Sequence, residues 1–293
     1  MKRRRAQKII ALALSLSLCT MSGAEALRIM PWGDSITGME GMYRYPLWQL
    51  LKADSECPPF RFVGIEEDDL EDVATEFAND RYHSGFAMET IDDQLGHIED
   101  FVPLNPAIAL LMIGTNDLPK ENASGAPARL ANLIDKAYAS MPDITLIVGS
   151  IIPRRDFTSQ VESYNQQVRQ LVEQLRAGGK RIVFADINAG LSAAQHTDDG
   201  VHPNAEGAAL IAQSWFSVLK QTMRQTTAAQ APALNPTART GHNRVRLLIG
   251  TNAHRAAGLP LFDLQGRRLS TTITAAQPRA FGAALLLPGA GHN

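Results

Sequence analysis

Short continuous apolar runs alternate along this chain with longer stretches whose apolar residues recur every three or four positions. Five of the runs read as buried strands: Leu27–Met30, Phe60–Ile65, Ile108–Ile113, Ile144–Ser150 and Ile182–Ala185. Helical spacing lies between and after them. Met88, Ile91, Leu95 and Ile98 share one face, as do Leu130, Leu133, Ile134, Ala137 and Met141. Val161, Tyr164, Val168, Leu171, Val172 and Leu175 form another stripe, and Ile211, Trp215, Val218 and Leu219 a last one. Asn204 suits the N-cap of that last helix, Gly178-Gly179 ends the one before it, and Pro46 fits the first turn of an early helix. Such alternation predicts an α/β fold, a five-stranded parallel sheet covered on both faces by helices. In such sheets the loops at the carboxyl ends of the strands build the site.

Beyond Lys220 the texture changes. Residues 225–240 are rich in Thr, Ala, Gln and Pro, within a linker expected over 223–244. Residues 245–293 hold two candidate strand regions, Val245–Ile249 and Leu261–Leu264, and a terminal apolar run, Ala283–Leu287. The expected organisation is a main domain over 27–222 and a small β-rich appendage, which suits 293 residues.

The amino terminus reads as an address. Lys2, Arg3, Arg4, Arg5 and Lys8 precede the apolar run Ile9–Leu18, and Ala24 and Ala26 offer small residues at a cleavage site. This predicts a secretory signal over 1–26, with Leu27 as the first mature residue. The run is too short to span a bilayer, and no later segment is long and uncharged, so no transmembrane segment is expected. Cys19 raises a lipid-anchor alternative, against which stands the bulky Leu18 before it. Removing 1–26 takes five positive charges and Glu25, a net of +4, so the formal charge moves from −2 to −6. Cys57 then remains alone, which excludes an internal disulfide. Composition is 45% hydrophobic and 20% charged with no basic stripe, so no nucleic-acid partner is expected.

Four motifs carry the chemistry. Gly33-Asp34-Ser35-Ile36-Thr37 follows the first strand, and Tyr82-His83-Ser84-Gly85-Phe86 precedes the Met88 stripe. Gly114-Thr115-Asn116-Asp117 follows the strand Ile108–Ile113, and Asp199-Gly200-Val201-His202-Pro203-Asn204 precedes the last helix. Taken singly each is ordinary: a helix cap, a turn glycine, a turn asparagine and a loop histidine. Together they supply every role of a serine acyl hydrolase. A serine hydroxyl needs a base, histidine serves near neutral pH, and a carboxylate on its far nitrogen holds one tautomer. Ser35 is the candidate nucleophile, His202 the base and Asp199 its orienter. The Ser35 and Gly85 amides and the Asn116 side chain are candidate oxyanion donors. Activity is expected to rise with pH as the base loses its proton.

The residues Gly33-Asp34-Ser35, Gly85, Gly114-x-Asn116-Asp117 and Asp199-x-x-His202 resemble the four blocks of the SGNH (GDSL-type) hydrolases, in order and spacing. The resemblance covers Leu27 to Leu219. Within that superfamily the stretches Arg28–Thr37, Tyr82–Phe86, Ile113–Leu118 and Asp199–Asn204 are most similar to carbohydrate esterase family 3, the acetyl xylan esterases. The resemblance implies a flavodoxin-like three-layer α/β/α fold, removal of acetyl groups from plant polysaccharide, and no required metal or other cofactor. Phe86 stands where many relatives have Trp. A short segment, Phe262–Leu269, is similar to one near the ends of many secreted Bacteroidetes proteins, some with type IX sorting domains. It implies contact with secretion machinery or the cell surface.

Several residues compete for roles or stand outside them. His196 rivals His202 but lacks an aspartate three residues upstream, and Asp198 rivals Asp199. His83 could touch substrate or make a structural hydrogen bond. Asp34 and Asp117 are expected to brace loops. The acidic stretch Glu66–Asp80 is either a wall of the site or a solvated loop. No His/Asp/Glu set has metal-ligand spacing. Alternatives to a secreted acetyl esterase are a lysophospholipase, a thioesterase or a pectin-type acetylesterase on the same fold. A non-catalytic carbohydrate-binding protein is the alternative outside the enzymes.

Overall fold

The computed structural model describes residues 25–39, 42–230, 246–248 and 284–286. The expected signal up to residue 24, the strand region Leu261–Leu264 and the whole of the 231–245 stretch lie outside them.

The strands are β1 (Leu27–Gly33), β2 (Phe60–Phe62), β3 (Glu66–Glu67), β4 (Tyr82–Gly85), β5 (Ile108–Met112), β6 (Thr145–Gly149) and β7 (Ile182–Ala185). Among the described residues they form a seven-stranded sheet. Six of them are parallel, and five of these, in the order β2-β1-β5-β6-β7, coincide with the five apolar runs. The parallel core is apolar because both its faces are covered. Every residue of β5 is buried, and so is most of β1. Two short strands escape the sequence pattern. β4 continues the edge of β1 beyond β2, with Gly33 opposite Gly85, and β3 pairs antiparallel to β4.

The helices are α1 (Ser35–Gly38), α2 (Arg44–Ala53), α3 (Ile98–Phe101), α4 (Ala126–Ser140), α5 (Thr158–Ala177), α6 (Ala193–His196) and α7 (Ala205–Gln230). Around the sheet α4 packs beside α5, and α2 packs beside α7. Trp215 of α7 is fully buried, seated against Gly149 at the end of β6 and 6.2 Å from the Tyr43 ring. The mixed α/β fold with helices around a mostly parallel sheet is therefore the expected one.

Two expectations are corrected. The Met88 stripe does not form one helix. Met88 has φ +67 and is 80% exposed, and a 3₁₀ turn over Asp93–His97 leads into the single turn of α3. The backbone there bonds to the neighbouring loop instead of to itself: Ile91 N–H donates to Asp117 and Glu89 O accepts from Asn116. The stretch expected as linker from residue 223 is helical as far as Gln230, where α7 ends. Met223 is fully buried, and Arg224 pairs with Glu56.

Residues 232–293 form a separate compact unit. Within it β8 (Arg246–Leu248) pairs antiparallel with β9 (Ala284–Leu286), the first inside the candidate strand region Val245–Ile249 and the second inside the terminal apolar run. Among the described residues no helix is long and apolar enough to cross a membrane.

Candidate active site

The site begins where β1 ends. Asp34 caps α1, its Oδ1 accepting the Ile36 N–H at 3.0 Å, so Ser35 opens the helix at the carboxyl edge of the sheet. At that first position the helix gives the Ser35 N–H no acceptor. Asp34 is 1% exposed, and burial pushes its carboxyl up to about 6 against the lowering effect of the Ile36 hydrogen bond.

The last motif folds back over Ser35. Gly200 adopts φ +91, Thr197 bridges to Pro203, and Asp198 N–H donates to His202 O. This tight loop aims the His202 ring, whose Nε2 lies 2.9 Å from Ser35 Oγ. His202 Nδ1 lies 2.8 Å from Asp199 Oδ2. Asp199 Oδ1 accepts the backbone N–H groups of His202 and Val201, at 2.7 and 2.8 Å. The His202 backbone N–H and ring together hold the Asp199 carboxyl well below the usual carboxylate range. With Asp199 accepting from Nδ1–H, Nε2 is left to accept the serine proton. Of the competing residues, His196 is engaged elsewhere, its Nδ1 accepting the Ser192 N–H at 2.9 Å. Asp199, not Asp198, faces the His202 ring.

Asn116 arrives from the end of β5. Gly114 takes φ +125 under the Tyr164 ring, where a Cβ would meet the phenol at 2.6 Å, and Tyr164 donates to Ile113 O. Glycine is required there both by its φ and by the close approach. Asn116 Nδ2 donates to Glu89 O at 2.9 Å, and the amide carries a second N–H. Asp117 braces the loop by accepting from Ile91 N–H and from Arg129. Gly85 reaches the site from β4. A Cβ there would lie 2.5 Å from Gly38 N, so only glycine lets β4 and α1 come this close. The Gly85 N–H donates to His83 Nδ1 at 3.1 Å.

Several site neighbours were not singled out by the sequence. Glu89 accepts from Gln94 at 2.7 Å and lies 2.9 Å from His97 Nε2. Phe86 stacks on His97 with ring centroids 4.0 Å apart. Gln94 also receives the Trp32 indole N–H at 2.5 Å. Arg44 and Asp68 form a buried ion pair at 2.6 Å. A glutamine among apolar positions, and an arginine opening an apolar helix, were the available signals.

Geometrically, a hydroxyl in line with an imidazole and a carboxylate, beside backbone and amide donors, can perform acyl transfer. Comparison with known proteins agrees. The model of the GDSL-like Lipase/Acylhydrolase family matches residues 32–210. The chain is 28% identical over 255 residues to a "Multidomain esterase" of Ruminococcus flavefaciens, a match covering 75% of this chain and 33% of that protein. The chain thus spans about a third of that relative's length. Among solved structures, a Clostridium thermocellum family 3 carbohydrate esterase superposes with a TM-score of 0.60 at 26% identity, covering 69% of this chain and 100% of that one. A carbohydrate esterase family 3 structure from Talaromyces cellulolyticus gives 0.60 and 26%, over 68% and 99%.

Proposed function

This chain belongs to the GDSL-like lipase/acylhydrolase family, and from that premise and the geometry around Ser35 we propose that it is a serine esterase that removes acetyl groups from plant polysaccharide, with acetylated xylan as its substrate. The observation that carries this reading is the unbroken series Ser35 Oγ, His202 Nε2, His202 Nδ1 and Asp199 Oδ2, with contacts of 2.9 and 2.8 Å.

In this reading Ser35 Oγ attacks the acetyl carbonyl carbon while His202 Nε2 takes the serine proton. Asp199 holds the ring and stabilises the imidazolium that forms. The negative charge that develops on the carbonyl oxygen is met by the Ser35 and Gly85 N–H groups and the free N–H of Asn116. Collapse breaks the ester bond, and the sugar oxygen leaves with the proton from His202. Water then attacks the acetyl-serine and loses a proton to His202, which returns it to Ser35 Oγ as the acyl bond breaks and acetate departs. No cofactor enters this sequence. The polysaccharide substrate is supported by the carbohydrate esterase neighbours and by the likeness of the four motifs to carbohydrate esterase family 3. Action outside the cytoplasm is supported by the basic and apolar leader, and a sorting role for residues 245–293 by the Phe262–Leu269 segment.

Acetate release from acetylated xylan, by wild type and Ser35→Ala side by side, tests the reading. p-Nitrophenyl acetate and octanoate serve as controls. Release by wild type alone, with acetate preferred, is the expected result. Activity on the small esters without any on xylan overturns the substrate. Equal activity in Ser35→Ala overturns the nucleophile.

A further inference from the structure

Gly85 presents a physical problem. Its lack of a side chain lets β4 lie against α1, yet the same lack leaves its backbone less restricted than any other residue's. A donor that must meet a developing charge needs a fixed direction. Something other than a Cβ has to supply it.

The surroundings supply it through three buried side chains. Arg44 has no exposed surface and grips Asp68 with both arms of its guanidinium, at 2.7 and 2.6 Å. Its Nε donates to Thr37 O in α1 at 2.6 Å, and one arm also reaches Arg81 O just before β4. The pair thus ties together the Ser35 turn, the acidic stretch and the strand that carries Gly85. His83, 4% exposed, stands between the pair and the glycine. Its Nε2 lies 3.8 Å from Asp68 Oδ1, and its Nδ1 accepts the Gly85 N–H. Burial, with the Arg44 charge second, lowers the ring's pKa to about 3, so the imidazole is neutral. A neutral ring that accepts at Nδ1 carries its proton on Nε2, the side of the Asp68 carboxylate. The Nε2 proton thereby faces the carboxylate at 3.8 Å, and the tautomer presents a lone pair to Gly85.

We propose that His83 is a positioning residue, whose Nδ1 sets the plane of the Ser84–Gly85 peptide and so the aim of the Gly85 N–H, and that the buried Arg44–Asp68 pair fixes His83. This rests on the reading of Gly85 as an oxyanion donor. The 3.1 Å contact is at the long end for such a bond. The N–H keeps the direction that the ring nitrogen gives it and is shared with a charged oxygen when one forms, the ion taking the stronger part of the bond. Asp68 gives the acidic stretch a buried task that neither sequence expectation included.

The test is a series in the full chain: His83→Asn, His83→Gln and His83→Leu. The Asn Oδ1 occupies the place of Nδ1 and keeps an acceptor for Gly85, the Gln amide reaches only the place of Nε2, and Leu keeps bulk alone. Hydrolysis of p-nitrophenyl acetate is read beside the ¹H–¹⁵N resonance of Gly85. The Gln and Leu variants are expected to lose about 10- to 100-fold in kcat, below the ~10²–10³ of deleting a donor, with KM within about twofold. Their Gly85 resonance shifts, and His83→Asn restores both readouts. Unchanged kcat across the series, an unmoved Gly85 resonance in the Leu and Gln variants, or an Asn variant as impaired as Leu overturns the inference. A wild type inert toward the ester overturns the esterase reading instead, and the Gly85 resonance then decides the positioning by itself.

Discussion

Arg44 and Asp68 face each other through two parallel hydrogen bonds, with side chains 0% and 2% exposed. A buried pair of this kind is worth little over an apolar substitute, but breaking it strands a charge away from water. Arg44→Met alone should therefore cost about 3–5 kcal/mol. Arg44→Met combined with Asp68→Leu should recover at least half of that loss. Urea denaturation of wild type, single and double variants reads both values. A double variant no more stable than the single would show that the other Arg44 bonds, to Thr37 O and Arg81 O, matter more than the stranded charge.

Asp199→Asn isolates charge from geometry. The Asn Oδ1 can still accept the His202 and Val201 N–H groups that shape the loop, while the ring loses its anionic partner. Turnover of p-nitrophenyl acetate should fall by roughly 10²–10⁴ with KM little changed. Steady-state kinetics measure this, and wild-type turnover in the variant would contradict an orienting role for Asp199.

Asn116→Ala removes one side-chain donor and the bond to Glu89 O. The expected loss is about 10²–10³ in kcat. A rise in KM at constant kcat would mean that Asn116 binds substrate and transition state equally, which is not what an oxyanion donor does.

Asp34→Asn concerns stability and pH. The Asp34 carboxyl is pushed up to about 6 in the folded protein from an ordinary value of 3.8. The folded state therefore holds this proton more tightly than the unfolded chain does. Its contribution is fully present below about pH 4 and is lost as pH rises through about 6, by roughly 3 kcal/mol. Asp199 acts in the opposite sense and in a lower window, since its lowered carboxyl gives stability that is lost only as pH falls below the ordinary carboxylate range. Asn at position 34 keeps an acceptor for the Ile36 N–H and has no proton to lose. Denaturation midpoints between about pH 4 and pH 7 should show a flatter slope in the variant than in wild type. Equal slopes would remove Asp34 as the source.

The parallel core was legible because a strand covered on both faces is an uninterrupted apolar run. Ile108–Met112 and Ile182–Ala185 are such runs. β3 and β4 were not legible, for a related reason. Glu66-Glu67 and Tyr82–Gly85 carry polar side chains, and β4 buries His83 and Ser84 beside an ion pair contributed from elsewhere. The Met88 stripe misled because Asn116 and Asp117, far along the chain, capture the backbone groups that a helix would have used. The Thr- and Gln-rich end of α7 read as linker, yet Thr226 and Thr227 fold their hydroxyls back onto their own helix at Thr222 O and Met223 O. The site motifs were legible as local strings at the ends of strands. Arg44 and Asp68 were not, since one reads as a cation opening a helix and the other as one acid in a run. Only their distance in space makes them a pair.

Ser35 and His202 stand 167 positions apart, one on the first strand's exit and the other just ahead of the final helix of the main unit. A ribosome completes every strand of the parallel core before it adds His202. On the proposed roles the serine is thus an unarmed alcohol through the whole of synthesis and through any passage of the chain as an unfolded thread. In the proposed mechanism chemistry starts only when α7 has docked and drawn the His202 loop over β1. Hydrolysis is then a sign that the domain has closed from end to end, and a chain cut anywhere between the two residues has to hold its pieces together to keep its activity.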